Sequence, residues 1–131
     1  MKDCIFCKII KGKIPCYKVY EDKNVLAFLD VNPANPGHTL VVPKKHSANM
    51  YEAKDAVVKK LIIAVKNLAP KIKQALNAKT VHITIAGDDV PHTHIHIIPR
   101  FENDGIKWPE PKKYKEGEAE AVANKIKNLL K

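Results

Sequence analysis

The sequence predicts an α+β fold around an antiparallel sheet. Three observations lead there. Short apolar runs bounded by Gly, Pro, Asn and Asp read as strands, and one longer segment repeats its apolar residues with a period near 3.6. Two strand-to-strand connections are mere turns, which only antiparallel neighbours permit. A chain of 131 residues, 45% hydrophobic and 28% charged, has the size and composition of a single globular domain. No apolar run approaches the roughly 18 residues of a membrane span. Asp3, Lys8 and Lys11 interrupt any apolar stretch at the start, so neither a span nor a signal peptide is expected, and a cytoplasmic location is.

The first element is a short helix over 4–10, where Ile5, Phe6, Ile9 and Ile10 fall at helical spacing before Gly12. Val19–Glu21 and Val25–Leu29 follow as strands joined by the polar turn Asp22-Lys23-Asn24. Asp30–Gly37, with two prolines and a glycine, is an ordered loop leading to a strand over His38–Pro43, and Ser47 is a candidate helix N-cap beyond it. Over Asp55–Leu76 the residues Val58, Leu61, Ile62, Val65, Leu68, Ile72 and Leu76 mark the main core-facing helix, which Pro70 should kink or break. Thr80–Ala86 alternates Val81, Ile83 and Ile85 against His82 and Thr84 as a half-buried strand, and Gly87-Asp88-Asp89 turns directly into the next strand. After Arg100 come loop residues with Trp108 and Tyr114 as anchors, then an amphipathic helix over Glu118–Leu130 carrying Val122, Ile126, Leu129 and Leu130 on one stripe.

The chemistry gathers in His92–Pro99. Period 2 in an extended backbone places His92, His94 and His96 on one face and Thr93, Ile95 and Ile97 on the other. Successive histidines are then about 6.5 Å apart along the strand, too far for direct ring-to-ring hydrogen bonds but close enough to surround a small anion or share a metal. A neutral imidazole, with an ordinary pKa of about 6.5, can attack phosphorus at cellular pH. Attack by His94 on an α-phosphate would form a covalent phospho-histidine, with a protonated His96 and a neighbouring His38 available to hold the phosphate.

The net charge of +9 favours phosphate-bearing partners, yet Arg100 is the only arginine, so the bidentate forks of sequence-specific nucleic-acid binding are nearly absent. Of the three cysteines, Cys4 and Cys7 form a C-x-x-C shared by redox and zinc sites, and Cys16 reads as a plain apolar residue. Asp30 ends an apolar strand at a loop, a suitable place for a carboxylate that accepts two hydroxyl hydrogen bonds.

The segment from His92 to Ile98 resembles the signature of the histidine triad (HIT) nucleotide hydrolases and transferases. Cys4–Ile10, Ile14-Pro15, Val19–Asp22, Ala27–Asp30, Gly37–Lys44 and His46 resemble further motifs of that family in the same order. The resemblance covers residues 4–100, with 101–131 as a C-terminal extension of the one domain. It implies a five-stranded antiparallel sheet with one long helix, a short N-terminal helix and a C-terminal helix, paired into a homodimer. It also implies a zinc-bearing, Hint-like branch acting on purine nucleoside phosphoramidates, with an AMP-like small-molecule substrate.

In that resemblance His94 would be the nucleophile, with His96 and His38 at the phosphate and Asp30 on the ribose. Ile5, Phe6, Ile9, Phe28 and Val31 would wall the base, and Cys4, Cys7, His46 and His92 would hold a structural zinc ion. One departure stands out: the loop before the triad is cut to Ala86–Pro91, and Asp88 and Asp89 stand where members carry Gln and Ser. Asp88 thus occupies a substrate-binding position and Asp89 that of the proton donor. Such an aspartate must be protonated beside the phosphate or point away from it.

Three other readings stay open at this level: a hydrolase with a catalytic metal on His92, His94 and His96, a nucleotide-binding or regulatory module with weak turnover, and a dinucleoside polyphosphate hydrolase.

Overall fold

A computed structural model describes residues 3–86, 89–106 and 112–130. In chain order the elements are α1 (Ile5–Ile10), β1 (Lys18–Glu21), β2 (Val25–Leu29), β3 (Thr39–Pro43), a 3-10 turn (Met50–Glu52), α2 (Asp55–Ala75), β4 (Thr80–Thr84), β5 (Ile95–Arg100) and α3 (Glu118–Leu130). The five strands form one antiparallel sheet in the order β1-β2-β3-β5-β4, so the expected α+β architecture is what the chain adopts.

Alternation along the central strands divides the sheet into two apolar faces. Val25, Ala27, Val41, Ile95 and Ile97 point to one side and pack against Leu61, Val65, Leu68, Ala69 and Ile72 of α2. Leu26, Phe28, Leu40 and Val42 point to the other and pack against Cys4 and Phe6 at α1, with Cys16 half-buried beside them. The cross-strand pairs Phe28↔Leu40 and Leu40↔His96 put His96 on this second face. By the same alternation His38 and Asp30, one step beyond those pairs, share it.

Several expectations need correction. Pro70 lies inside α2 without breaking it: its ring is exposed, while Leu61 and Val65 on one side and Ile72 on the other hold both halves to the sheet. Ile62 and Leu76, expected in the core, are exposed, as are Ile83 and Ile85, because β4 is an edge strand that α2 only partly covers. Ser47 caps no helix. Asn49 caps the 3-10 turn, no side chain caps α2 at Lys54, and the Ser47 hydroxyl instead meets Thr93 Oγ1 at 2.7 Å.

The link from β4 to β5 is longer than a tight hairpin: β4 stops at Thr84, which pairs with His96, and β5 begins only at Ile95. His92, Thr93 and His94 precede the strand, because the Thr93 amide donates to the Ser47 carbonyl at 2.8 Å rather than joining the ladder. Of the two C-terminal anchors, Tyr114 is exposed and Trp108 lies outside the described residues.

Gly37 shows how closely the loop before β3 is fitted. Its φ of +88° is left-handed, and a Cβ there would stand 1.9 Å from Leu76 Cδ1 and 3.1 Å from Pro99 Cγ. Gly37→Ala is therefore expected to destabilise the fold by about 1 kcal/mol or more. In urea unfolding the midpoint should fall with the slope unchanged.

Candidate active site

Five of the six histidines meet on the α1 face of the sheet or at its margin. The face assignment by period 2 holds for the triad although only His96 lies in a strand. Phe6 packs edge-on against His92 and His94, with ring centroids 5.9 and 5.1 Å apart, and His94 lies 5.0 Å from His96. Thr93 turns the opposite way, to Ser47, and Ile95 and Ile97 join the α2 core.

Each buried ring has a partner that decides which nitrogen carries its proton. His94 Nδ1 lies 2.6 Å from the His92 carbonyl oxygen, an acceptor only, so Nδ1 holds the hydrogen and Nε2 is left with its lone pair. That Nε2 faces Asp89 Oδ1 at 3.6 Å. Beside His94 opens a cleft of about 390 Å³, lined among others by Met50, Tyr51, Ile85 and Pro91.

His38 is held the other way round. The Ala34 amide donates to its Nδ1 at 3.0 Å, so the proton of the neutral ring sits on Nε2, which donates to His96 Nδ1 at 2.9 Å. His96 in turn keeps its proton on Nε2. Burial, above all, pushes both His38 and His96 below the ordinary imidazole value, although Asp30 opposes the shift. Both rings are neutral near pH 7, and His96 offers a neutral N–H where the sequence suggested an imidazolium.

Two sulfurs join the histidines. Sγ of Cys4 and Cys7 and Nδ1 of His46 and His92 all lie within 4.8 Å of one another. The separations are 3.4 Å for Cys4–His92, 3.3 Å for Cys7–His46, 3.6 Å for Cys7–His92 and 3.1 Å for His46–His92. Donor atoms around a tetrahedral cation with two thiolates and two imidazoles would stand about 3.4–3.8 Å apart, so the four fit a metal.

The outer contacts agree with that. His92 Nε2 donates to the Pro43 carbonyl at 2.9 Å, which aims the lone pair of Nδ1 at the sulfurs. Burial is the largest cause lowering the affinity of His92 for a proton. Burial first, then Cys4, pushes the Cys7 thiol up, and a cation would reverse that.

Asp30, His38 and His96 also lie within 4.8 Å of one another. The Ala34 amide argues against a cation there: it leaves the ring proton on His38 Nε2, the nitrogen that would have to ligate. Nor do the triad rings converge on one ion, since His92 faces the cysteines, His94 faces Asp89 and His96 faces His38.

Among the residues expected around a base, Phe6 and Phe28 are buried in edge-on contact at 5.7 Å, Ile9 is half-buried against them, and Ile5 and Val31 are exposed. Asp30 accepts from the Asn32 amide through Oδ1, and its Oδ2 stands 3.7 Å from His38 Nε2. Asp88 lies outside the described residues. Sequence reasoning missed the Ala34 amide and the Pro43 carbonyl, because backbone groups that set tautomers leave no mark on residue identity.

A family model described as the HIT domain matches residues 11–103. The adenosine 5′-monophosphoramidase of Schizosaccharomyces pombe is 39% identical, with 95% of this chain and 98% of that protein covered. An adenylylsulfatase of Arabidopsis thaliana is 41% identical over 78% of this chain and 54% of its own length. Among solved structures, a Zn-bound histidine triad family protein from Mycobacterium smegmatis superposes with a TM-score of 0.77 at 27% identity, covering 98% of each chain.

Purified without chelator, the chain is expected to carry about one equivalent of bound metal, as one four-ligand site requires. Elemental analysis checks this, and Cys7→Ala should reduce the content well below stoichiometric.

Proposed function

Since this chain belongs to the HIT domain family, we propose that it is a nucleotide hydrolase or transferase. It cleaves a purine nucleoside phosphoramidate or a mixed nucleotide anhydride at the α-phosphate, through a covalent nucleotidyl group on His94. The single observation that carries this reading is the 2.6 Å hydrogen bond from His94 Nδ1 to the His92 carbonyl, which leaves the lone pair of the neutral ring on Nε2. The named activities of the fission-yeast and plant relatives support the substrate class.

In the first step the Nε2 lone pair forms a bond to the α-phosphorus. The bond from phosphorus to the leaving nitrogen or oxygen breaks, and the leaving group departs with a proton. In the second, water attacks the same phosphorus and gives up a proton to the carboxylate that protonated the leaving group, the N–P bond breaks, and the nucleoside monophosphate and free His94 are restored. The neutral Nε2–H of His96 donates to a non-bridging oxygen, whose charge grows in both transition states, and His38 keeps that ring in its donating tautomer.

We assign to Asp89, whose Oδ1 lies 3.6 Å from Nε2, the proton that the leaving group takes. Asp30 receives the ribose hydroxyls on its second oxygen, and Ile5, Phe6, Ile9, Phe28 and Val31 wall the base. We assign Asp88 a substrate-binding role.

Zinc is the ion that this donor set selects: two thiolates and two imidazoles suit it, and a Zn-bound structural relative supports the assignment. Cys4, Cys7, His46 and His92 would hold it with four protein ligands, so it would offer no position for water and would tie these residues together next to His94. A homodimer is favoured by the exposed β4 edge and by the apolar side chains of Ile62, Ile63, Ile83 and Ile85 left in the open.

His94→Ala should lower turnover of an adenosine phosphoramidate on the order of 10³-fold or more while AMP binding by calorimetry is kept. Retention of most activity would exclude this ring as nucleophile. Asp89→Ala, assayed beside it, should slow substrates with poor leaving groups and spare those with good ones. The mass in solution by light scattering is expected at twice that of the chain, and Ile83→Lys should shift it toward the monomer.

A further inference from the structure

We propose that Asn35, Arg100 and Asp104 form a positioning cluster that decides which nitrogen of His38, and through it of His96, carries the ring proton. None of the three is hydrogen-bonded to the ring of His38 or His96. They act through the loop between β2 and β3. The consequence for turnover rests on the nucleotidyl-transfer reading above; the tautomers do not.

The cluster is built to be stiff. Asp104 is almost fully buried at 8% side-chain exposure, and its two oxygens accept five hydrogen bonds. Oδ2 receives Arg100 Nε at 2.8 Å, the Phe101 amide at 3.0 Å and Asn35 Nδ2 at 3.1 Å. Oδ1 receives Arg100 Nη2 and the Ile106 amide, each at 3.0 Å. Arg100 also donates through Nη2 to the Ile106 carbonyl at 2.7 Å, and its Nη1 meets His82. The Arg100 guanidinium, helped by the Phe101 and Ile106 amides, holds the Asp104 carboxyl far below the usual carboxylate range.

Asn35 is the arm of this cluster. Its Nδ2 donates both to Asp104 and to the Pro99 carbonyl at 2.9 Å, and its own carbonyl accepts the His38 amide at 3.1 Å. The loop is thereby fixed at the residue next to Ala34, whose N–H points at His38 Nδ1. With a donor locked against Nδ1, a neutral His38 has its proton on Nε2 and nowhere else. His38 Nε2–H then meets His96 Nδ1, and His96 Nε2, which has no hydrogen-bond partner among the described residues, is left as the donor. Reversing the tautomer of His38 would reverse His96 as well. It would then present a lone pair, not a hydrogen, to a phosphate oxygen, and repel what it should hold.

The proposal is tested on the full chain labelled with ¹⁵N-histidine, by spectra that separate protonated from unprotonated imidazole nitrogens near pH 7. In the wild type, Nδ1 of His38 and His96 should be unprotonated and Nε2 of both protonated. The opposite assignment for His38 overturns the proposal without any variant. In Asn35→Ala, and independently in Asp104→Asn, His38 and His96 should become tautomer mixtures. kcat for the phosphoramidate should drop about tenfold, as expected for loss of one well-placed donor, with KM nearly unchanged.

Variants that unfold at lower urea concentration while keeping both tautomers would show a purely structural cluster and overturn it. Shifted tautomers with unchanged turnover, where His94→Ala abolishes activity in the same assay, would uphold the control of the tautomers and overturn its consequence for turnover. If the wild type turns over no nucleotide at all, the functional reading fails, and the spectra alone decide the tautomer claim.

Discussion

A neutral imidazole has one proton for two nitrogens, and that constraint organises the whole site. Wherever the fold supplies an acceptor to one nitrogen, the other becomes a ligand or nucleophile; wherever it supplies a donor, the other becomes a donor in turn. The Pro43 carbonyl turns His92 Nδ1 toward the thiols, the His92 carbonyl frees His94 Nε2, and the Ala34 amide makes His38 and then His96 donors. Three backbone groups thus decide which nitrogen carries the proton on four rings of the same chemical kind.

The cysteine–histidine cluster and His94 are joined at a single residue. His92 holds a place among Cys4, Cys7 and His46 with its ring and orients His94 with its carbonyl, so any movement of one is felt by the other. The Ser47–Thr93 pair ties the loop after β3 to the segment before β5 and brings His46 within reach of His92. This accounts for the triad beginning outside the strand: a regular ladder through His92–His94 would take up the Thr93 amide that instead reaches Ser47.

Residue patterns exposed much of this. The two-residue alternation set His92, His94 and His96 against Ile95 and Ile97, and the contacts agree although the backbone there is only partly strand. The 3.6 period located α2 within one residue at its C-terminal end. The same patterns overstated the core at Ile62, Ile83 and Ile85, because periodicity reports which face a residue is on and not whether anything covers that face. Pro70 does not end the helix, since its local penalty of about 3 kcal/mol acts against packing on both of its flanks.

What the amino-acid sequence settled by itself was the inventory: an α+β chain, an apolar pattern for each central strand, and histidines and cysteines at spacings that make phosphorus chemistry and a metal plausible together. Only the tertiary structure decided the polarity of the site. It brings Cys4 and Cys7 to His46 and His92 across separations of up to 88 residues, and it sets Ala34, Pro43 and His92 backbone groups against particular ring nitrogens. The physical reason is that a proton's position on an imidazole depends on the hydrogen-bond partner at about 3 Å, and these partners are peptide groups that every residue shares.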